Sequence, residues 1–277
     1  DFSTTNTQVA GVDEADIVKT DGNYIYSIKE NYIYIVKVDK DNMELVSKIK
    51  GDSTNSNYIE MYINNNKLIV IKNEYSNIYR TMDAGVAYDM PEFYGYRNSK
   101  VSIVVFDITN KYKPVKLNEL SQSGSYLSSR MVGDYVYVLT NYYVYGNIEI
   151  NDEKTYIPTL TTDKERTIDV KDILIAPNPT TSSYLTITGT NINESNKFTS
   201  SKAVFGASSN IYADLDSIYV AGYNGKTVNN TYVSSTSLVK FSMNKGTIKL
   251  DATGEVKGTV LNQFSMDENN GYFRIAT

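Results

Sequence analysis

An all-β fold built from recurring four-stranded antiparallel sheets is what this sequence predicts, and three observations predict it. No window of about a dozen residues carries apolar side chains at i, i+3, i+4 and i+7, so long helices are not expected. Short β-branched and aromatic runs recur instead, separated by clusters of Asn, Asp, Gly and Ser. Finally, a unit of four such runs repeats along the chain.

The first 51 residues show the unit most clearly. Residues 15–20 form a short run, and Asp21-Gly22-Asn23 turns the chain because Gly and Asn tolerate positive φ. Residues 24–28 form a second strand, Lys29-Glu30-Asn31 turns, and residues 32–38 form a third. Residues 39–42 turn again and 43–50 make a fourth. The junction of polar turn and aliphatic-aromatic strand recurs at Asn64-Asn65-Asn66-Lys67-Leu68-Ile69-Val70, Gly133-Asp134-Tyr135-Val136-Tyr137-Val138, Asp214-Leu215-Asp216-Ser217-Ile218-Tyr219-Val220 and before Tyr272-Phe273-Arg274-Ile275. Third strands are expected at 32–38, 101–108, 184–192 and 237–243. A fourth strand ends near Gly51, Gly124, Gly206 and Gly258. The units therefore read as 13–51, 58–124, 126–206 and 208–258, with the opening hairpin of a fifth at 260–277.

A small twisted sheet of this kind exposes two faces and cannot bury them alone. Stacking successive sheets around an axis buries both, and the predicted architecture is a single β-propeller domain, incomplete within 1–277. A two-sheet sandwich is the competing all-β reading, but it does not account for a four-strand unit recurring four times. Tyr supplies 25 of the 277 residues. Its ring suits burial between sheets while its hydroxyl reaches a polar partner. Neither end of the chain supplies the outer strands of the fifth unit. The expectation is a truncated portion of a longer chain, its start a trimmed or mature N-terminus.

Composition narrows the chemistry. His, Cys and Trp are absent. No Ser-His-Asp or Cys-His system can be assembled, and no Cys/His zinc site. A net charge of −5 argues against nucleic acid and anionic membranes as partners. No apolar run reaches the ~18 residues of a membrane span, and no signal peptide opens the chain. No phosphate-cradling Gly-rich loop is present.

The opening stretch Asn6-Thr7-Gln8-Val9-Ala10-Gly11-Val12-Asp13-Glu14-Ala15-Asp16-Ile17-Val18-Lys19-Thr20-Asp21-Gly22 resembles the signature of secreted bacterial and archaeal proteins with a C-terminal β-propeller domain distantly related to WD-type repeats. So do Leu261-Asn262-Gln263-Phe264-Ser265-Met266-Asp267-Glu268 and Gly271-Tyr272-Phe273-Arg274-Ile275-Ala276-Thr277. Asp172-Ile173, Pro177-Asn178-Pro179, Val204-Phe205-Gly206 and Asn210-Ile211-Tyr212 extend the likeness through the middle. The resemblance implies an extracellular or cell-surface location and a chain that continues past Thr277. It implies no catalytic residues, since the family has no established activity.

Two stretches could carry a ligand. Asp13, Glu14, Asp16 and Asp21 offer carboxylates that could hold a Ca²⁺, though not at EF-hand spacing. The stronger reading is that they cap and solvate an entry strand, with Asp21 making the turn. The insertion between Glu74 and Lys100 carries Tyr75, Tyr79, Tyr88, Phe93, Tyr94, Tyr96 and Arg97. Such rings with Arg can stack on sugars or anchor a protein, or fold back on their own sheet. A second insertion, 141–171, holds Tyr142, Tyr143, Tyr145 and Tyr156 and reads as a solvated loop. Asp267-Glu268-Asn269-Asn270-Gly271 reads as a hairpin turn rather than a Ca²⁺ loop. Glu60 and Arg130 fall in expected inner strands, with no catalytic role assigned. The function expected is a non-enzymatic extracellular binding or scaffold module for an unidentified protein or glycan at the cell surface, with no cofactor other than a Ca²⁺. The alternatives are a carbohydrate-active hydrolase using carboxylates and Tyr, and a structural domain with a bound Ca²⁺.

Overall fold

A computed structural model of the chain describes residues 9–78, 96–145, 148–176, 179, 181–206, 210–229 and 231–277. A short strand, β1 (Val12–Asp13), precedes a meander of β2 (Val18–Thr20), β3 (Tyr24–Lys29), β4 (Tyr32–Asp39) and β5 (Asn42–Lys50). The second sheet is β6 (Ser56–Asn64), β7 (Lys67–Ile78), β8 (Tyr96–Asp107) and β9 (Val115–Ser123). The third opens with β10 (Ser125–Val132) and β11 (Tyr135–Tyr143). After it come β12 (Thr159–Thr161), β13 (Glu165–Thr167) and β14 (Ile173–Ile175), and then the sheet's own β15 (Ser183–Asn191) and β16 (Ser200–Phe205). The fourth sheet is β17 (Asn210–Ala213), β18 (Ser217–Val228), β19 (Thr231–Asn244) and β20 (Thr247–Lys257). The hairpin β21 (Met266–Asn269) and β22 (Tyr272–Ile275) follows. Neighbours within each meander pair antiparallel. Among the described residues the helical turns are short 3-10 segments, and no helix is long and apolar enough to cross a membrane.

Period-two alternation explains the stacking, because successive side chains of a strand point to opposite faces. In β7, Leu68 and Val70 pack with Tyr26, Ile33 and Ile35 of the first sheet. The intervening Ile69 and Ile71 pack with Val136 and Val138 of the third. In β11, Tyr137 and Leu139 turn the other way, onto Ile218, Val220 and Phe241 of the fourth sheet. In β18, Tyr219 and Ala221 meet Met266 and Phe273 of the last hairpin, and the Tyr219 and Phe273 rings stack at 3.9 Å. Each buried aliphatic side chain is worth roughly 1.5–3 kcal/mol. The second, third and fourth sheets are covered on both faces, as in a propeller. A sheet of a sandwich has only one face inside. The tyrosine hydroxyls find partners, as buried polar groups must. Tyr26 donates to Asp21 Oδ2 at 2.8 Å, Tyr62 pairs with Ser129 Oγ at 2.7 Å, and Tyr137 accepts the Gly246 N–H at 3.0 Å.

Two features were not legible as strands. The 141–171 insertion is not a solvated loop. Its β12–β13 hairpin extends the outer edge of the second sheet through β9, and Ile157, Leu160 and Ile168 are buried. β14 lies parallel to β16 on the outer edge of the third sheet. Residues 9–20 form a strap over the inner strands. Val9 packs beside the fourth sheet, and β1 pairs with β10 (Val12↔Val132). Asp16 bridges Met61 on β6, and β2 then begins the first sheet.

At the junction of the fourth sheet and the last hairpin, Asp214 accepts the N–H groups of Asp216 (3.0 Å) and Ser217 (2.6 Å). Its carboxyl is pushed up to about 6, chiefly by burial and also by the nearby charge of Glu268. A pKa raised on folding gives a contribution that is full below the ordinary value of 3.8 and lost as pH rises through about 6. Asp214→Asn should therefore gain stability relative to wild type between about pH 4 and pH 7. Urea titrations at both values check this, and a pH-independent difference would contradict it.

Candidate functional site

A cleft of about 1020 Å³ lies where the second and third sheets meet, at the ends of β9 and β11 and beside β7. Its floor is fixed by one sharp crossing. β9 ends at Ser123, and Gly124 at φ +108° turns the chain straight into β10 at Ser125. A Cβ at Gly124 would lie 2.7 Å from the Asn141 carbonyl oxygen, so only glycine fits without displacing backbone. The crossing is tied down by the Gly124 N–H to Ser99 O (2.8 Å) and by the Thr159 N–H to Ser123 Oγ (2.8 Å). The inserted hairpin is thereby docked beside the cleft.

Four tyrosines line the cleft: Tyr75, Tyr142, Tyr143 and Tyr145. The Tyr143 and Tyr145 rings lie 5.6 Å apart and 22° from parallel, and are 45% and 57% exposed. Tyr142 is held against Tyr184, with ring centres 6.3 Å apart, and burial pushes its hydroxyl above the ordinary value. The charges facing the cleft are paired. Glu165 lies 3.9 Å from Lys100 Nζ and 3.5 Å from Lys154 Nζ, and Thr159 Oγ1 donates to it at 3.3 Å. Glu74 is held by the buried Lys72 at 2.5 Å, and Lys72 also pairs with Glu119. The Oδ1 atom of Asn141 is buried with no hydrogen-bond partner.

The acidic residues of the strap go elsewhere. Asp13 pairs with Lys19 at 2.9 Å, and Lys19 also donates to the Glu14 carbonyl at 2.6 Å. Glu14 pairs with Arg130 at 3.2 Å. Asp16 Oδ1 accepts the Ile17 N–H at 2.7 Å. Asp21 accepts the N–H groups of Asn23 (3.1 Å) and Tyr24 (2.8 Å) within its own turn. Among the described residues no three carboxylates converge as a metal site. Glu14 and Asp16 instead add negative charge near Glu60 from the strap. Glu60 accepts from Tyr126 at 2.6 Å, and the Tyr126 hydroxyl pairs with Ser129 at 2.8 Å. Burial raises the Glu60 carboxyl, against the pull of Tyr126 and Arg130. Arg130 is further held by Ser128 Oγ (2.8 Å) and the Ser129 carbonyl (2.7 Å).

Of the aromatic insertion, Tyr75 lines the cleft and its hydroxyl meets Asn73. Tyr96 and Arg97 have their backbone in β8, opposite Ile78 and Asn77, with side chains outside the described residues. Tyr79, Tyr88, Phe93 and Tyr94 lie outside the described residues altogether. The run Tyr142-Tyr143-Val144-Tyr145 marks three of the cleft's rings in the sequence, in a segment that reads there as solvated, whereas nothing local marks Lys154 or Glu165.

Sheets of four strands packed face to face in chain order, strapped along their inner strands and grooved at the strand ends, define a β-propeller. The chain belongs to the family described as the Beta propeller domain, whose model matches residues 2–277. It is also similar to the uncharacterized protein MJ1554 of Methanocaldococcus jannaschii, at 30% identity over 165 residues. The match covers 57% of this chain and 21% of that relative, so it spans about a fifth of the relative's length.

Proposed function

We propose that this propeller is a non-enzymatic binding module at the cell surface, and that it takes its ligand in the cleft between the second and third sheets. One observation carries the reading: a cleft of about 1020 Å³ lined by tyrosine rings and small polar side chains, with its charged groups in ion pairs and the side-chain Oδ1 of Asn141 without a partner. Its size is at the upper end of the roughly 300–1,000 Å³ usual for ligand sites. A hydrolase would need one carboxyl kept protonated against an apolar wall and a second free to attack. Glu74 and Glu165 are each held by ammonium groups instead. The strap covers the inner strands of the second and third sheets, which leaves the strand ends as the accessible concave surface. The cell-surface setting rests on the resemblance of residues 6–22 and 261–277 to secreted propeller proteins.

The test is a screen on immobilised glycans and peptides with wild type and Ser125→Trp. The indole fills the cleft from an exposed position, so stability should change by no more than about 0.5 kcal/mol. The expected result is that every bound probe is lost in Ser125→Trp and is recovered from wild type with its mass unchanged. Chemical conversion of a probe, or binding indifferent to Ser125→Trp, would overturn the reading.

A further inference from the structure

We infer that the ligand of this cleft is an uncharged, hydroxyl-rich oligosaccharide, an inference that rests on the cleft being the binding site. Among the described lining residues no aliphatic side chain is present, and the carbon-rich surfaces are the four tyrosines. Protein partners are anchored by apolar side chains inserted into desolvated pockets, and the described residues of this cleft form no such pocket. A pyranose ring needs something different. Its C–H faces are weakly positive and pack on the negative face of an aromatic ring, while its rim of hydroxyls needs many small donors and acceptors.

Both requirements are met here. Tyr143 and Tyr145 form a half-exposed platform of near-parallel rings. Around it stand the hydroxyls of Ser99, Ser123, Ser125 and Thr159 and the amides of Asn55 and Asn141. The Asn141 Oδ1 atom is a buried acceptor without a donor. Turned toward the cleft, the amide would find its missing donor in a ligand hydroxyl. Charge decides against an acidic glycan. The charged residues described in its lining, Lys100, Lys154, Glu74 and Glu165, sum to zero, so they offer no net positive charge to a sulfate or carboxylate. The volume, about 1020 Å³, suits several linked rings better than a monosaccharide.

The experiment is isothermal titration of the full chain with cellohexaose, chitohexaose and mannohexaose, beside a heparin hexasaccharide and a peptide pool. At least one uncharged hexasaccharide should bind, and a tenfold rise in salt should leave that affinity unchanged. Tyr143→Ala and Tyr145→Ala should each weaken it about three- to tenfold, with circular dichroism unchanged, whereas Tyr143→Phe keeps it. Failure of all three uncharged probes, binding of heparin alone, or full affinity in both alanine variants would overturn the inference. The two readings fail separately. A peptide bound by wild type and lost in Ser125→Trp rejects the glycan and keeps the cleft. An oligosaccharide bound equally by Ser125→Trp rejects the cleft itself.

Discussion

Replacing Arg130 with alanine should lower the stability of the propeller by about 3–5 kcal/mol, a fall in Tm of roughly 10 °C. The Arg130 side chain is 9% exposed, and its guanidinium joins three parts of the fold. It pairs with Glu14 on the strap, donates to Ser128 and the Ser129 carbonyl on β10, and offsets the charge of Glu60 on β6. Truncation leaves the Glu14 carboxylate without its guanidinium partner and removes the positive charge that offsets Glu60. The cost of an uncompensated buried charge exceeds what the ion pair itself contributes. A double-mutant cycle with Glu14→Ala should therefore return a coupling of about 1–3 kcal/mol. Additive single losses in urea denaturation would mean that the strap is not clasped through this pair.

Gly189→Ala should cost about 3 kcal/mol or more, although the added group is one methyl. Gly189 lies on β15 of the third sheet, and a Cβ there would sit 2.1 Å from the carbonyl oxygen of Gly246. Gly246 occupies the β19–β20 turn of the fourth sheet at φ +79°, and its N–H donates to Tyr137 Oη on β11. The obstacle is backbone held by a hydrogen bond, so relief requires the two sheets to part. Gly254→Ala is the control, because a Cβ there meets open space. It should be neutral or stabilising by up to about 1 kcal/mol. Equal effects of the two substitutions would contradict the close approach of the third and fourth sheets.

The sheets were readable because strand and turn chemistry is local. Asp21-Gly22-Asn23 and the alternating residues of β3 and β4 sit within a few positions of one another. Tertiary partners were not. β12 is three residues long, and its neighbour β9 lies some 40 positions earlier, so no periodicity announces the pairing. The cleft is assembled from segments as distant as Ser53 and Glu165, and their meeting follows from the register between sheets. Glu60 and Arg130 stood out as inner-strand residues, but the strap that links them through Glu14 is a long-range contact. Of the aromatic residues singled out in the 74–100 insertion, Tyr75 lines the cleft, while Tyr142, Tyr143 and Tyr145 come to it from a segment that reads as solvated.

Hydrogen–deuterium exchange with and without a saturating bound oligosaccharide tests the binding site most directly. Slower exchange is expected at residues 99–100, 123–125 and 141–145, with no change at residues 12–20. Protection confined to the strap and the inner strands would place the ligand on the axis and contradict the account.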